Sequence, residues 1–270
     1  MTKTASPQLE ERLEFAIKIA RQAGELTLRY FRSASLKTQQ KGDGSPVTEA
    51  DRGAEELLRQ LISGQFPDDA ILGEEFGETD GTSEFRWILD PIDGTKAFIA
   101  GVPLYTTLVA VLEDDSPCIG VIHAPAAGEM VYALRGKGCW HVQGDGPPQE
   151  AHVSKVTDLA EAACVTSSVK SFTTEREIDA RSVWDQLQAA CRISRTWGDA
   201  YGYLLVATGR AEIAIDPAMS LWDTAPLQTI IEEAGGKFFD WQGTATIHSE
   251  ESIATNAALS KQVLSITIGT

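Results

Sequence analysis

Three acidic segments of this chain have the residue types and spacing to handle a metal-bound phosphate. The run Trp87-Ile88-Leu89-Asp90-Pro91-Ile92-Asp93-Gly94-Thr95 ends an apolar stretch with two carboxylates and a Gly-Thr pair. Gly73-Glu74-Glu75 lies upstream of it and Leu221-Trp222-Asp223 far downstream. A hard divalent cation such as Mg²⁺ takes oxygen ligands and needs neither histidine nor cysteine. A tight turn at the strand end predicts Asp90, Asp93 and the Ile92 carbonyl at one point, with Glu74 joining them if its strand neighbours that of Asp90. Two carboxylates flanking a proline repel each other unless a cation sits between them. Two such ions ~4 Å apart can activate a water on one side of a phosphorus and neutralise the leaving oxygen on the other. Gly94 and Thr95 can offer backbone N–H groups to phosphate oxygens if the chain turns helical at Lys96-Ala97-Phe98. Each side chain alone also has a structural role open to it: Asp223 can cap the helix containing Pro226, and Glu74 can be a solvated turn residue.

Charge and composition narrow the partners. Lys plus Arg total 23 against 39 Asp plus Glu, a net charge of −16, so the long-range field repels nucleic acid and anionic membranes. An anionic substrate then needs local cations, which bound metal ions supply. The cysteines (118, 139, 164 and 191) form no C-x-x-C and have no histidine at ligand spacing, which argues against zinc or a disulfide framework and for a reducing cytoplasm. Charges near the N-terminus interrupt any signal-peptide core, and no apolar run approaches the ~18 residues of a membrane span, so a soluble cytoplasmic protein is expected. There is no G-x-x-x-x-G-K-[ST], no G-x-G-x-x-G after a strand and no G-x-S-x-G, and the histidines (123, 141, 152 and 248) are scattered.

The acidic segments must be positioned by the elements around them. Apolar residues at Leu9, Leu13, Ala16, Ile17, Ala20, Ala23, Leu28 and Phe31 predict an amphipathic helix over 7–31. After a loop at 41–46, Thr48-Glu49-Ala50-Asp51 reads as a capping box opening a second helix through 62. Short strands are predicted at 70–73, 86–90, 105–113, 118–124, 130–133 and 139–142, a meandering antiparallel sheet. Gln143-Gly144-Asp145-Gly146-Pro147-Pro148 reads as a turn or linker. A boundary is expected there, with residues 1–145 carrying most metal ligands and residues 146–270 carrying Asp223 and substrate recognition. Beyond it, strands at 162–166 and 212–215 alternate with helices at 181–190, 199–208 and 223–234, the last stopped by Gly235-Gly236.

Together these segments resemble the inositol monophosphatase superfamily of Mg²⁺-dependent, lithium-sensitive phosphatases. Its paired motifs look like Trp87 to Thr95 and Leu221-Trp222-Asp223-Thr224-Ala225-Pro226. Pro46-Val47-Thr48-Glu49-Ala50-Asp51, Gly73-Glu74-Glu75 and Glu232-Glu233-Ala234-Gly235-Gly236 follow the family's order and spacing, so the resemblance covers nearly the whole chain. Pro226 stands where the family commonly has a small residue. The resemblance implies an α+β fold, the layered α-β-α-β-α sandwich shared with fructose-1,6-bisphosphatases, usually as a homodimer, with two or three Mg²⁺ per site. It implies Glu74, Asp90 and the Ile92 carbonyl on a first metal, Asp90, Asp93 and Asp223 on a second, and Asp51 holding a third through water. Thr95 with Glu74 would orient and deprotonate the attacking water, while Asp93, Gly94 and Thr95 would bind the substrate's phosphate end.

The resemblance implies a small phosphate ester as substrate, and its alcohol is suggested by Arg195-Thr196-Trp197-Gly198-Asp199-Ala200-Tyr201-Gly202-Tyr203, which resembles the histidinol-phosphate branch. Asp199 could pair with a cationic amine or imidazolium, or could cap the helix beginning there. Asp216 sits where the family has an acidic residue near the leaving group. Histidinol phosphate is therefore expected, with an inositol or broad sugar phosphatase as the alternative enzyme. A non-catalytic regulatory protein on the same scaffold is a third reading, which the intact acidic set disfavours.

Overall fold

A computed structural model describes residues 6–42, 44–173 and 180–269. Asp43, within the loop read at 41–46, and residues 1–5 lie outside the described residues. The chain runs α1 (Pro7–Tyr30), β1 (Thr38–Gln40), β2 (Pro46–Thr48), α2 (Glu49–Gln65), β3 (Ala70–Gly73), β4 (Gly77–Thr79), β5 (Phe85–Asp93) and α3 (Thr95–Ile99). It continues through β6 (Thr106–Glu113), β7 (Ser116–Ala124), β8 (Glu129–Leu134), β9 (Cys139–Gln143), β10 (Gln149–Ala151) and β11 (Ala163–Val165). The remainder is α4 (Ala180–Ala190), β12 (Ile193–Arg195), α5 (Ala200–Ala207), β13 (Ile213–Asp216), α6 (Leu221–Glu233), β14 (Gly236–Phe239), β15 (Ser252–Asn256) and α7 (Ser260–Ile268).

These elements form five layers. Helices α1 and α2 bury their apolar stripes on one face of an eight-stranded sheet, ordered β10-β9-β8-β7-β6-β5-β3-β4. Helices α5 and α6 lie between that sheet and a five-stranded one, ordered β12-β11-β13-β15-β14, and α4 and α7 cover the far side. This is the expected α-β-α-β-α sandwich. Helix α5 is apolar on all sides because both its faces meet a sheet: every one of its residues except Tyr201 is buried. Close approach of α6 demands Gly120 on β7, where an added Cβ would lie 2.2 Å from the Pro226 carbonyl oxygen. The helix thus crosses the sheet at short range and carries Asp223, in its first turn, towards the end of β5.

A charged anchor holds the outer layer. Arg12 of α1 donates from Nε and Nη2 to Asp69 at 2.9 Å each, while Ser83 Oγ and Trp87 Nε1 donate to the same carboxylate at 2.6 and 2.9 Å. The guanidinium lies 4.4 and 3.8 Å from the ring centroids of Phe66 and Phe85, so the buried charge is paired and stacked.

The predicted elements differ from the observed ones in instructive places. The meander is antiparallel from β5 to β10, but β3 pairs β5 in parallel, with Gly73 opposite Leu89. The turn after β9 returns the chain as β10, which pairs β9, so the first sheet retains Gln149–Ala151 beyond the turn. Most consequentially, β5 does not stop at Asp90. It continues to Asp93, with Asp90 opposite Leu108 and Asp93 opposite Thr106, so that Pro91 and Ile92 together face Thr107 alone. This is a β-bulge in place of the expected tight turn. Residues three apart in a regular strand point to opposite faces; the extra residue shifts the phase by one and turns both carboxylates to the same side.

Candidate active site

The bulge and the start of α6 bring three carboxylates together. Oxygens of Asp90, Asp93 and Asp223 all lie within 4.8 Å of one another. Each is held by a local hydrogen bond. Ile92 N–H donates to Asp90 Oδ1 at 3.0 Å, Thr106 Oγ1 and Ala200 N–H donate to Asp93 Oδ2 at 2.7 Å each, and Ser220 N–H donates to Asp223 Oδ2 at 2.7 Å. Asp223 therefore does cap α6, through the box it forms with Ser220, while also facing the other two. The capping role and the cluster role coexist because a carboxylate has a second oxygen.

Glu74 stands just outside that trio. Its N–H donates to the Leu89 carbonyl at 3.2 Å, which fixes it beside the end of β5, as parallel pairing of β3 with β5 requires. Its carboxylate accepts Lys41 Nζ at 2.6 Å, and the same ammonium lies 2.6 Å from Glu75. Burial works against that ammonium, but the hydrogen bonds and charges of Glu74 and Glu75 outweigh it and raise its pKa. Behind Glu74, the buried Glu55 accepts N–H groups from Glu75 (2.7 Å) and Phe76 (3.2 Å) and Nε of Arg59 (2.7 Å), locking the turn that aims Glu74.

Thr95 opens α3 after Gly94, whose φ of +82° is left-handed and so favours glycine. Its hydroxyl has two acceptors in reach, Asp51 Oδ1 at 3.3 Å and the Ile92 carbonyl at 3.2 Å. Asp51 is fully buried, accepts Thr48 N–H at 2.8 Å and the Thr48 hydroxyl, and so completes the predicted capping box while reaching Thr95. It stands behind Thr95, outside the cavity wall.

The remaining expected residues share one cavity of about 330 Å³ with Glu74, the trio, Ile92, Gly94 and Thr95. Asp199 has no side-chain capping bond to α5, and its carboxylate lies 2.6 Å from where a Cβ on Gly94 would stand. Asp216 lines the same cavity but is saturated: Thr166 Oγ1, Ser167 N–H and Ser167 Oγ donate to Oδ1 at 2.8, 2.8 and 2.6 Å, and Tyr203 OH donates to Oδ2 at 3.0 Å. Sequence reasoning missed Lys41, Glu55, Lys96 and Ser167. Lys96 has a legible signal in its place directly after Gly94-Thr95, and Glu55 in its place one helical turn after Asp51; Ser167 has none.

Electrostatics show what the cluster lacks. Burial raises Asp90 and Asp93 well above the usual carboxylate range; the charges of Glu74, Asp93 and Asp223 add to the effect at Asp90, and those of Asp199 and Asp223 at Asp93. Burial likewise lifts Asp223 to about 7 and Asp199 to about 6, with Asp216 adding at both. Converging oxygen donors with unrelieved negative charge fit a hard divalent cation. These raised values give a signed expectation. A carboxyl that is harder to ionise when folded costs the folded state stability as pH rises from its unfolded pKa through the folded one. A divalent cation relieves that cost, so Mg²⁺ should raise the melting temperature more at about pH 8 than at about pH 5.5. Thermal melts with and without the cation check this; equal shifts at both pH values would contradict it.

A family model for the inositol monophosphatase family matches residues 8–267. The chain belongs to the inositol monophosphatase family. Within that frame it is 43% identical to a histidinol-phosphatase of Chlorobaculum parvum, over 93% of this chain and 95% of that protein. It is 38% identical to one of Mycobacterium tuberculosis, over 93% and 96%. Among solved structures, an inositol monophosphatase from Zymomonas mobilis superposes with a TM-score of 0.83 at 31% identity, covering 98% of this chain and 100% of that one. An IMPase from Thermotoga maritima gives 0.84 at 29% identity, covering 96% and 97%. No helix among the described residues is long and apolar enough to cross a membrane.

Proposed function

We propose that this chain is a Mg²⁺-dependent phosphomonoesterase whose substrate is histidinol phosphate. The observation that carries the reading is the single cavity that holds the converging Asp90, Asp93 and Asp223 together with Asp199 and Asp216. Resemblance to histidinol-phosphatases over nearly the full chain supports the choice of alcohol. Glu74, Asp90, the Ile92 carbonyl, Asp93 and Asp223 would hold the metal. Bound there, Mg²⁺ supplies positive charge for the phosphate oxygens and lowers the pKa of coordinated water. The chain's own groups do the rest. The Thr95 hydroxyl donates its proton towards Asp51 or the Ile92 carbonyl, which leaves its lone pairs free to accept a proton from an attacking water that Glu74 also orients. The start of α3 at Gly94 and Thr95 receives phosphate oxygens. Asp199, free of a capping role, offers its carboxylate to a cationic amine or imidazolium, and Ser167, oriented by Asp216, offers a hydroxyl beside it. A homodimer and a cytoplasmic location accompany this reading.

A panel of esters tests it. kcat/KM for histidinol phosphate should exceed that for inositol 1-phosphate and glycerol phosphate, and Asp199→Asn should lower it on the order of tenfold while sparing the uncharged esters, since one charge-assisted hydrogen bond is lost. If the ratio of kcat/KM values is the same in wild type and variant, Asp199 does not read the alcohol.

A further inference from the structure

The buried carboxylate of Glu129 lies outside the cavity already described, yet three side chains converge on it. It opens β8 and is 7% exposed. Tyr201 OH donates to Oε1 at 2.9 Å, Arg210 Nη1 donates to Oε1 at 3.2 Å and Nη2 to Oε2 at 2.6 Å, and His141 Nε2 lies 3.0 Å from Oε2. Burial alone would raise its pKa, but the hydrogen bonds from Arg210 and Tyr201 outweigh burial and hold it below the usual range.

Two of those donors flank one helix. Tyr201 is in the first turn of α5 and Arg210 follows its end. That helix is otherwise apolar and buried between the sheets, so its directional contacts with the two sheets come from few side chains. Its polar anchors are Tyr201 and Tyr203. Residues two apart on a helix point about 200° apart, so the two rings reach opposite layers. Tyr203 OH bonds Asp216 at 3.0 Å and Ser252 Oγ at 2.7 Å on the five-stranded sheet; Tyr201 OH bonds Glu129 on the eight-stranded sheet. What this helix presents to the cavity sits immediately before Tyr201: the Ala200 N–H on Asp93 and the carboxylate of Asp199. Gly198, at φ +79°, is pressed against the same residue, since a Cβ there would lie 2.9 Å from Tyr201 Cβ and 3.0 Å from the Leu104 carbonyl oxygen.

We infer that Glu129 and Tyr201 form a positioning pair that sets where Asp199 and the Ala200 N–H stand relative to Asp93, and thereby tunes recognition of the substrate's cationic alcohol. Neither touches substrate; they act through α5. The kinetic part of this inference rests on the reading of Asp199 given under Proposed function, while the structural part does not.

The test compares Tyr201→Phe with Arg210→Ala in the full chain. Tyr201→Phe removes only the link from Glu129 to the first turn of α5, keeping the ring. Arg210→Ala removes the link to the far end and takes more stability, because it leaves a buried carboxylate without its cation. Amide hydrogen exchange over residues 198–203 should accelerate about tenfold in Tyr201→Phe and stay near wild type in Arg210→Ala, even though the latter melts lower. KM for histidinol phosphate should rise about fivefold to tenfold in Tyr201→Phe with kcat changed less, and glycerol phosphate should be affected less than either. Unchanged exchange and kinetics in Tyr201→Phe, or the same changes in both variants in proportion to lost stability, would overturn the inference. If exchange changes as expected but wild type hydrolyses no ester, the positioning pair stands and the proposed function fails.

Discussion

Treatment with EDTA followed by dialysis should abolish phosphate release by this chain, and returning Mg²⁺ should restore it. The cavity that would receive a phosphate dianion contains Glu74, Asp90, Asp93, Asp199, Asp216 and Asp223 against, among the described residues, the ammonium of Lys96 alone in its wall, and the Lys41 ammonium is already engaged by Glu74 and Glu75. Without an added cation the site repels its substrate and offers nothing to stabilise charge on the leaving oxygen. The loss should therefore exceed about a thousandfold, roughly 4 kcal/mol at 25 °C. Free phosphate is measured before chelation, after it, and after Mg²⁺ is returned. Undiminished turnover in the chelated enzyme would refute a metal mechanism.

Asp93→Asn should lower kcat by at least about 100-fold, about 2.7 kcal/mol of transition-state stabilisation. Asp93 Oδ2 already accepts Thr106 Oγ1 and Ala200 N–H, so an asparagine oxygen can keep both bonds and hold the local structure. Its amide then faces Asp90 and Asp223 where the second carboxylate oxygen had been, removing one negative ligand at the point where the three acids converge. A melting temperature near wild type with collapsed kcat is the expected pair of readings. Near-normal turnover with unchanged Mg²⁺ dependence would remove Asp93 from the site.

The acidic cluster was legible because its chemistry lies in residue types at fixed spacing: Asp-Pro-Ile-Asp-Gly-Thr needs no tertiary information to look wrong without a cation. The capping box at Thr48 and Asp51 was legible for the same reason, being local. How Asp90 and Asp93 come to face one way was not. That depends on Leu108 and Thr106 across the strand pair, and a bulge is a property of two strands together. The strand ends near Gly236 and Ser252 and the short α7 carried too little periodicity to register, although β15 joins β13 to β14 in the second sheet and its Ser252 bonds Tyr203. Asp199 and Asp216 look alike in sequence. Only the four donors around Asp216, drawn from the two residues after β11 and from α5, separate an acid that orients Ser167 from one left open to the cavity.

The chain contributes to the cavity in an uneven order. Glu74, Asp90, Ile92, Asp93, Gly94 and Thr95 come from the first sheet and its edge, whereas Ser167, Asp199 and Asp216 come after the crossing to the second sheet; Asp223 alone returns from the later elements to join the earlier group. On the function proposed above, phosphate chemistry and choice of alcohol would be written in largely separate stretches of sequence that meet across the middle helices. Under that reading, substitutions between β11 and α6 would redirect which ester is accepted while sparing the acidic cluster, so long as α5 and α6 keep their seats between the sheets and Ala200 N–H keeps its bond to Asp93. One scaffold can in this way serve alcohols as unlike as a polyol and an imidazole-bearing amine, with drift in the later half exploring substrates and constraint in the earlier half preserving the reaction.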